Sequence, residues 1–179
     1  DVLESLLAAD VQGVLLGLFV DPAVAAACVA EGAGSTFEAV LNERNADDHG
    51  RAVPVRLDVL AVSDGRIVGR RGIARGRTIN LGTSAAVRIG GLTMVGVSRR
   101  IQAADPAYFE AFELDIGTFR TVVVKSRGHF RAGFDEFFPP EQIFEVDAGG
   151  LTSPVLARFP FRGLPRPVYP LDEDTVWPA

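Results

Sequence analysis

The chain is short of the side chains that most enzymes use for metal binding and nucleophilic attack. Among its 179 residues there is one cysteine, Cys28, and there are two histidines, His49 and His129. A single cysteine cannot close an internal disulfide, which points to a reducing, cytoplasmic setting. A zinc site takes three or four N, S or O ligands, and no CxxC or HxxxH spacing occurs. No metal site is therefore recognisable, and nothing points to a carboxylate-only one. Long apolar runs are missing too. The longest, VLLGLFV over Val14–Val20, is far too short to span a bilayer and ends at Asp21-Pro22. No basic stretch precedes it, so it does not read as a signal peptide. There is no GxxxxGK phosphate loop, internal repeat or heptad run. The chain begins at Asp1 without an initiating methionine and enters a helical pattern at once, which suggests a domain excised from a longer protein.

What is present is ordinary globular composition, with 47% hydrophobic and 23% charged residues. That length predicts one domain able to bury a core without staples. The net charge of -5 hides a pattern. Residues 1–50 carry one basic residue against nine acids, residues 51–131 fourteen against six, and residues 132–179 three against eight. The basic middle is either compensated within the fold or offers a face to an anionic ligand or an acidic neighbouring domain. Nucleic acid is not expected: VGRRGIARGR has no interleaved aromatics, and the pI is about 5.1.

Periodicity predicts a mixed α/β (α+β) domain. ESLLAAD has helical spacing, GVLLGLFV reads as a buried strand, and Asp21-Pro22 starts a second helix that Gly32 and Gly34 stop. Cys28 in AVAAACVAEG reads as a small core residue. STFEAVLNER is a strand and NADDHG, with His49, a polar turn. From Val53 to Val97 the chain is β-rich and antiparallel, with a hairpin at Gly90-Gly91. ADPAYFEAF repeats the Asp-Pro helix start. FRTVVVK, SRGHFRAGF and EQIFEVDA read as strand, helix, strand, a βα arrangement matching the one at the amino end. Residues 1–150 are thus a mixed-sheet body. Residues 151–179 hold six of the eleven prolines and read as an extended arm that packs, through Phe159, Phe161, Tyr169 and Trp177, on the body or a partner domain.

Two clusters stand out. In KSRGHFR, Ser126 and His129 lie three apart, but with Asp135 they make a poor triad; the spacing equally fits a helix cap. The alternative is an anion site: Ser126 caps a helix whose first N–H groups point outward, beside Lys125 and Arg127. His129, with no second histidine or cysteine near it, reads as a hydrogen-bond donor rather than a metal ligand. The competing reading buries it against a backbone carbonyl. The second cluster is Arg99, Arg100 and Gln102 in VSRRIQ, after the apolar MVGV.

The stretches INLGTSAAVRIGGLTMVGVSRRIQAADPAYFEAF, RTVVVKSRGHFRAGFDEF and ARFPFRGLPRPVYPLD resemble, in order and over nearly the whole chain, the C-terminal domain of microcystinase C (MlrC)-like proteins. The resemblance implies a bacterial, zinc-dependent hydrolase of peptide or amide substrates whose metal ligands lie in an upstream domain. On that resemblance the domain is expected to close and shape the active-site cleft, and the two clusters supply the candidates for facing a small peptide-like substrate there: Lys125, Ser126, His129 and Arg131, then Arg99, Arg100 and Gln102. The rival is a non-catalytic structural, ligand-binding or dimerisation module. RIVGRRGIARGRTIN departs from the family pattern, whose counterpart is less charged and glycine-rich; if that loop touches substrate, the preferred substrate differs.

The ligand count makes one prediction immediate. Metal analysis of the purified chain after dialysis is expected to find no stoichiometric zinc, and the chain alone is expected to hydrolyse no amide.

Overall fold

The apolar run Val14–Val20 forms strand β1 at the heart of a mixed sheet. The computed structural model describes residues 2–45, 50–148, 153 and 155–176, so His49 of the polar turn and Trp177 of the proline-rich tail lie outside the described residues. The elements run α1 (Val2–Ala8), β1, α2 (Pro22–Glu31), β2 (Thr36–Leu41), β3 (Val53–Ser63), β4 (Arg66–Val68), β5 (Thr78–Asn80), β6 (Ser84–Ile89), β7 (Leu92–Val97), α3 (Ala107–Glu110), β8 (Thr121–Val124) and α4 (Arg131–Phe134). Six strands make one sheet in the order β2-β3-β6-β7-β1-β8, and β4 pairs with β5 in a separate antiparallel ribbon.

The sheet has two characters. β2, β3, β6 and β7 are antiparallel neighbours, and Gly90-Gly91 closes the β6–β7 hairpin with Ile89 opposite Leu92. β1 lies parallel to both β7 and β8, with Val14 level with Leu92 on one side and Thr121 on the other. A strand buried on both faces needs no apolar–polar alternation. That is why β1 reads as a continuous run. Leu15 enters the cluster that holds Tyr108, Phe109 and Phe134, while Val14 enters the one that holds Leu3, Cys28 and Leu57. Helix α2 therefore covers one face and α3 the other. Complete burial of a side chain such as Phe109, Leu15 or Leu57 contributes about 1.5–3 kcal/mol each.

Local chemistry explains the helix starts. Asp21 accepts a hydrogen bond from Val24 N at 3.1 Å, and Pro22 needs no N–H partner at the first helical position. Asp21 is itself buried, and its second oxygen accepts from Asn42 N at 2.8 Å, tying α2 to the end of β2. Cys28 is 1% exposed, and burial pushes its thiol up to about 11, as befits a core residue.

Two expectations fail. EQIFEVDA forms no strand: a 3-10 turn covers Pro140–Gln142, and Phe144 and Val146 stay more than three-quarters exposed. Its alternation is genuine, but a strand exists only where a sheet edge accepts its hydrogen bonds. The helix expected from Ser126 is confined to Arg131–Phe134, after a bend at Arg127-Gly128. Glycine loses the most backbone freedom in a helix, so Gly128 favours the bend. At Gly133 the opposite holds: a Cβ there would sit 2.3 Å from the Ala104 carbonyl oxygen, so glycine is what lets α4 pack against the segment leading into α3.

Residues 1–143 form one compact unit and residues 144–179 a second. Within the second, Asp147 accepts from Ser153 and Arg158, the Phe159 and Phe161 rings lie 5.8 Å apart, and Asp172 pairs with Arg166. That pairing, with the Val168 N–H, pulls the Asp172 carboxyl down to about 2. Among the described residues of the chain, no helix is long and apolar enough to cross a membrane.

Gly17 gives a direct test of the packing. A Cβ at this position would lie 2.4 Å from Phe109 Cε1, and the Phe109 ring is fully buried and has nowhere to go. Gly17→Ala is expected to cost about 1–3 kcal/mol by overpacking. Thermal denaturation should show the loss, and Phe109→Leu in the same chain should recover part of it, because contacting sites are not additive.

Candidate functional site

Three parallel strands deliver three loops to one edge of the sheet. β1 ends at Asp21 and turns into α2, β7 ends at Ser98 and leads through Arg99–Gln102 to α3, and β8 ends at Lys125. Because α2 and α3 leave for opposite faces, the carboxyl ends of β1 and β7 straddle the kind of crevice where α/β sheets hold ligands.

The two sequence clusters meet here. Gln102 Oε1 accepts the Ser126 hydroxyl at 3.3 Å and lies 3.3 Å from His129 Nδ1. Gln102 and His129 are exposed and Ser126 is half-buried. In the same loops the side chains of Arg99, Arg100, Lys125 and Arg127 are exposed and form no ion pair within the described residues. Arg131, on α4, places its guanidinium 5.3 Å from the Phe130 ring centre.

The structure changes one feature of the expected site and decides two alternatives. Ser126 does not cap a helix, because α4 starts five residues later and no side chain caps it; the hydroxyl turns to Gln102 instead. The anion cradle of helical N–H groups is therefore not formed, and side-chain charge alone supplies the positive character. His129 is neither buried nor bonded to a backbone carbonyl. Asp135 is engaged by Arg71, so it does not complete a triad with Ser126 and His129.

What the sequence did not disclose is the scaffold beneath these loops. Asp105 is fully buried, and one of its oxygens accepts from Arg70 N at 2.7 Å and Arg71 N at 2.8 Å while the other accepts from Ala107 N at 2.9 Å. The guanidinium of Arg70 bridges Glu110 and Glu136, and that of Arg71 reaches Asp135 and Glu136. The arginines of VGRRG thus face their own chain's acids rather than a substrate. The Asp-Pro pair at Asp105 was the only sequence signal of this, and it reads equally as a helix start.

A separate cavity of about 210 Å³ is lined by Leu3, Glu4, Phe19, Asn42, Gly50, Arg51 and Val53, and none of the candidate residues reaches it. Among the described residues, no three histidine, cysteine, aspartate or glutamate side chains group so as to hold a metal ion, and no chemical step is assigned to a metal on this chain.

The sequence profile of a family described as the MlrC C-terminus matches residues 1–163. A crystal structure from Mesorhizobium sp. BNC1, described as a "putative metallopeptidase", superposes with a TM-score of 0.76 at 20% identity, over 98% of this chain and 34% of that one. The fold is therefore shared, and the chain spans about a third of the length of that protein. No curated protein matches the chain.

The acid network yields a pH prediction. The Arg70 hydrogen bond holds the Glu136 carboxyl below its ordinary value of 4.5. A carboxyl lowered in the folded state adds stability above its unfolded pKa and loses it as pH falls through the folded value. Denaturation followed from pH 6 downward is expected to show the native chain losing stability below about pH 4.5 more steeply than Glu136→Gln, which has no proton to take up. Both partners are partly exposed, so salt should shrink the difference.

Proposed function

The chain belongs to the MlrC C-terminal family, and from that premise we propose that it forms the metal-free wall of the active-site cleft in a zinc-dependent hydrolase of peptide or amide substrates. The metal ligands lie in an upstream domain of the same protein. The observation that carries this reading is the convergence of Gln102, Ser126 and His129 at the carboxyl ends of the parallel strands, ringed by exposed cations.

The chemistry suits the task. A peptide-like substrate brings carboxylates, and amide hydrolysis develops negative charge on the former carbonyl oxygen. Fixed cations near that oxygen lower the barrier because they need no reorganisation as the charge forms. Arg99 and Arg100 present planar forks that can bind a substrate carboxylate in two-point fashion. Lys125 supplies a compact charge at the exit of β8, on a strand held by its pairing with β1. His129 offers a ring nitrogen to the substrate as a hydrogen-bonding group.

The test is turnover in the full-length protein. Lys125→Ala and His129→Ala are each expected to lower kcat/KM by roughly 10²-fold. Melting temperature should stay nearly unchanged, because both side chains are exposed. If turnover holds while stability or oligomeric state shifts, the domain is a structural or dimerisation module instead.

A further inference from the structure

We infer that Gln102 is a positioning residue for His129: it holds the imidazole in the Nδ1–H tautomer and thereby presents Nε2 to the site as a lone-pair acceptor. The inference rests on the reading of these loops as a substrate-facing wall and adds what that wall recognises.

The argument starts from the amide oxygen. An amide oxygen only accepts hydrogen bonds and has two lone pairs. In this structure both are used, one by the Ser126 hydroxyl at 3.3 Å and one by His129 Nδ1 at 3.3 Å. For the second bond to exist, Nδ1 must carry the proton. A neutral imidazole has one N–H, so Nε2 is left bare. The Ser126 hydroxyl donates to the same oxygen that His129 uses.

The orienting group here is a neutral amide, not a carboxylate. Asp135, the nearest acid to His129 along the sequence, is held by Arg71. The group that orients His129 is thus the Gln102 amide, and Nε2 of the Nδ1–H tautomer faces substrate as an acceptor. A neutral acceptor beside Lys125, Arg99 and Arg100 recognises an N–H donor next to an anionic group. That pairing describes a peptide amide adjoining a carboxylate, and it fits poorly to a purely anionic ligand, which would offer no donor to Nε2.

The tautomer can be read without substrate or turnover. In the 179-residue chain carrying His49→Gln, His129 is the only imidazole. Long-range proton–nitrogen correlation spectra of the labelled chain, taken near pH 8.5, about two units above the ordinary imidazole pKa of ~6.5, report which nitrogen is protonated. The expected result is a majority Nδ1–H form. Gln102→Leu removes the acceptor and should swap the majority to Nε2–H, the form that water favours. Gln102→Glu, which keeps an acceptor oxygen, should retain Nδ1–H. A majority Nε2–H form in the chain with Gln102 intact overturns the inference and marks the inverted amide orientation. An unchanged spectrum in Gln102→Leu overturns it as well. These outcomes stand apart from the turnover of Lys125→Ala, so the tautomer assignment and the cleft-wall reading fail separately.

Discussion

The fully buried carboxylate of Asp105 is the contact on which the candidate-site end of the fold depends. Its two oxygens take three backbone N–H groups from two separate stretches, the Arg70-Arg71 turn and the first residue of α3. An ionised carboxylate in a closed interior is costly unless every lone-pair direction is answered, and charge-assisted hydrogen bonds of this kind are the strong ones. Asp105 also follows closely on Gln102 along the chain, so the pin that fixes α3 fixes the loop carrying Arg99, Arg100 and Gln102. Gly133 completes the arrangement by letting α4 settle against Ala104, which in turn places the Lys125–Phe130 loop within reach of Gln102.

The charge pattern resolves by location. Arg70 and Arg71 are spent on Glu110, Asp135 and Glu136, and Arg88 on Asp58. These pairs are half-exposed and individually worth little, yet as a network they join α3, α4 and the turn before β5 through one pair of adjacent arginines. By contrast, Arg99, Arg100, Lys125 and Arg127 lie in the loops after β7 and β8 and have no acid partner among the described residues. Part of the positive charge in the middle of the chain is thus compensated within the fold, and four further cations lie in these two loops.

Which sequence expectations held follows from how local their causes are. The Asp21-Pro22 helix start, the Gly90-Gly91 hairpin and the buried β1 run each depend on a few adjacent residues, and each appears where expected. Val122–Val124 enters the main sheet beside β1 as a parallel edge strand, half-buried rather than sealed. SRGHFRAGF and EQIFEVDA went astray because a short helix with two glycines and an alternating segment that pairs with no strand have no local cause strong enough to decide them. The family likeness carried the rest, since its motifs extend over the length that the MlrC C-terminal profile covers.

By itself, the sequence determined the inventory: too few histidines and cysteines for a familiar metal site, an apolar run destined for the sheet interior, and two basic clusters of unknown relation. Their relation was a tertiary decision. Gln102 and Ser126 are separated by α3 and β8, and no spacing rule links them; only the parallel pairing of β7, β1 and β8 brings their loops to one edge. The same holds for Arg70 and Glu136, sixty-six residues apart and in contact. Local propensity acts over a turn or a strand. Contacts across such separations exist only once burial of the two faces of the sheet has offset the entropy of closing the loops between them.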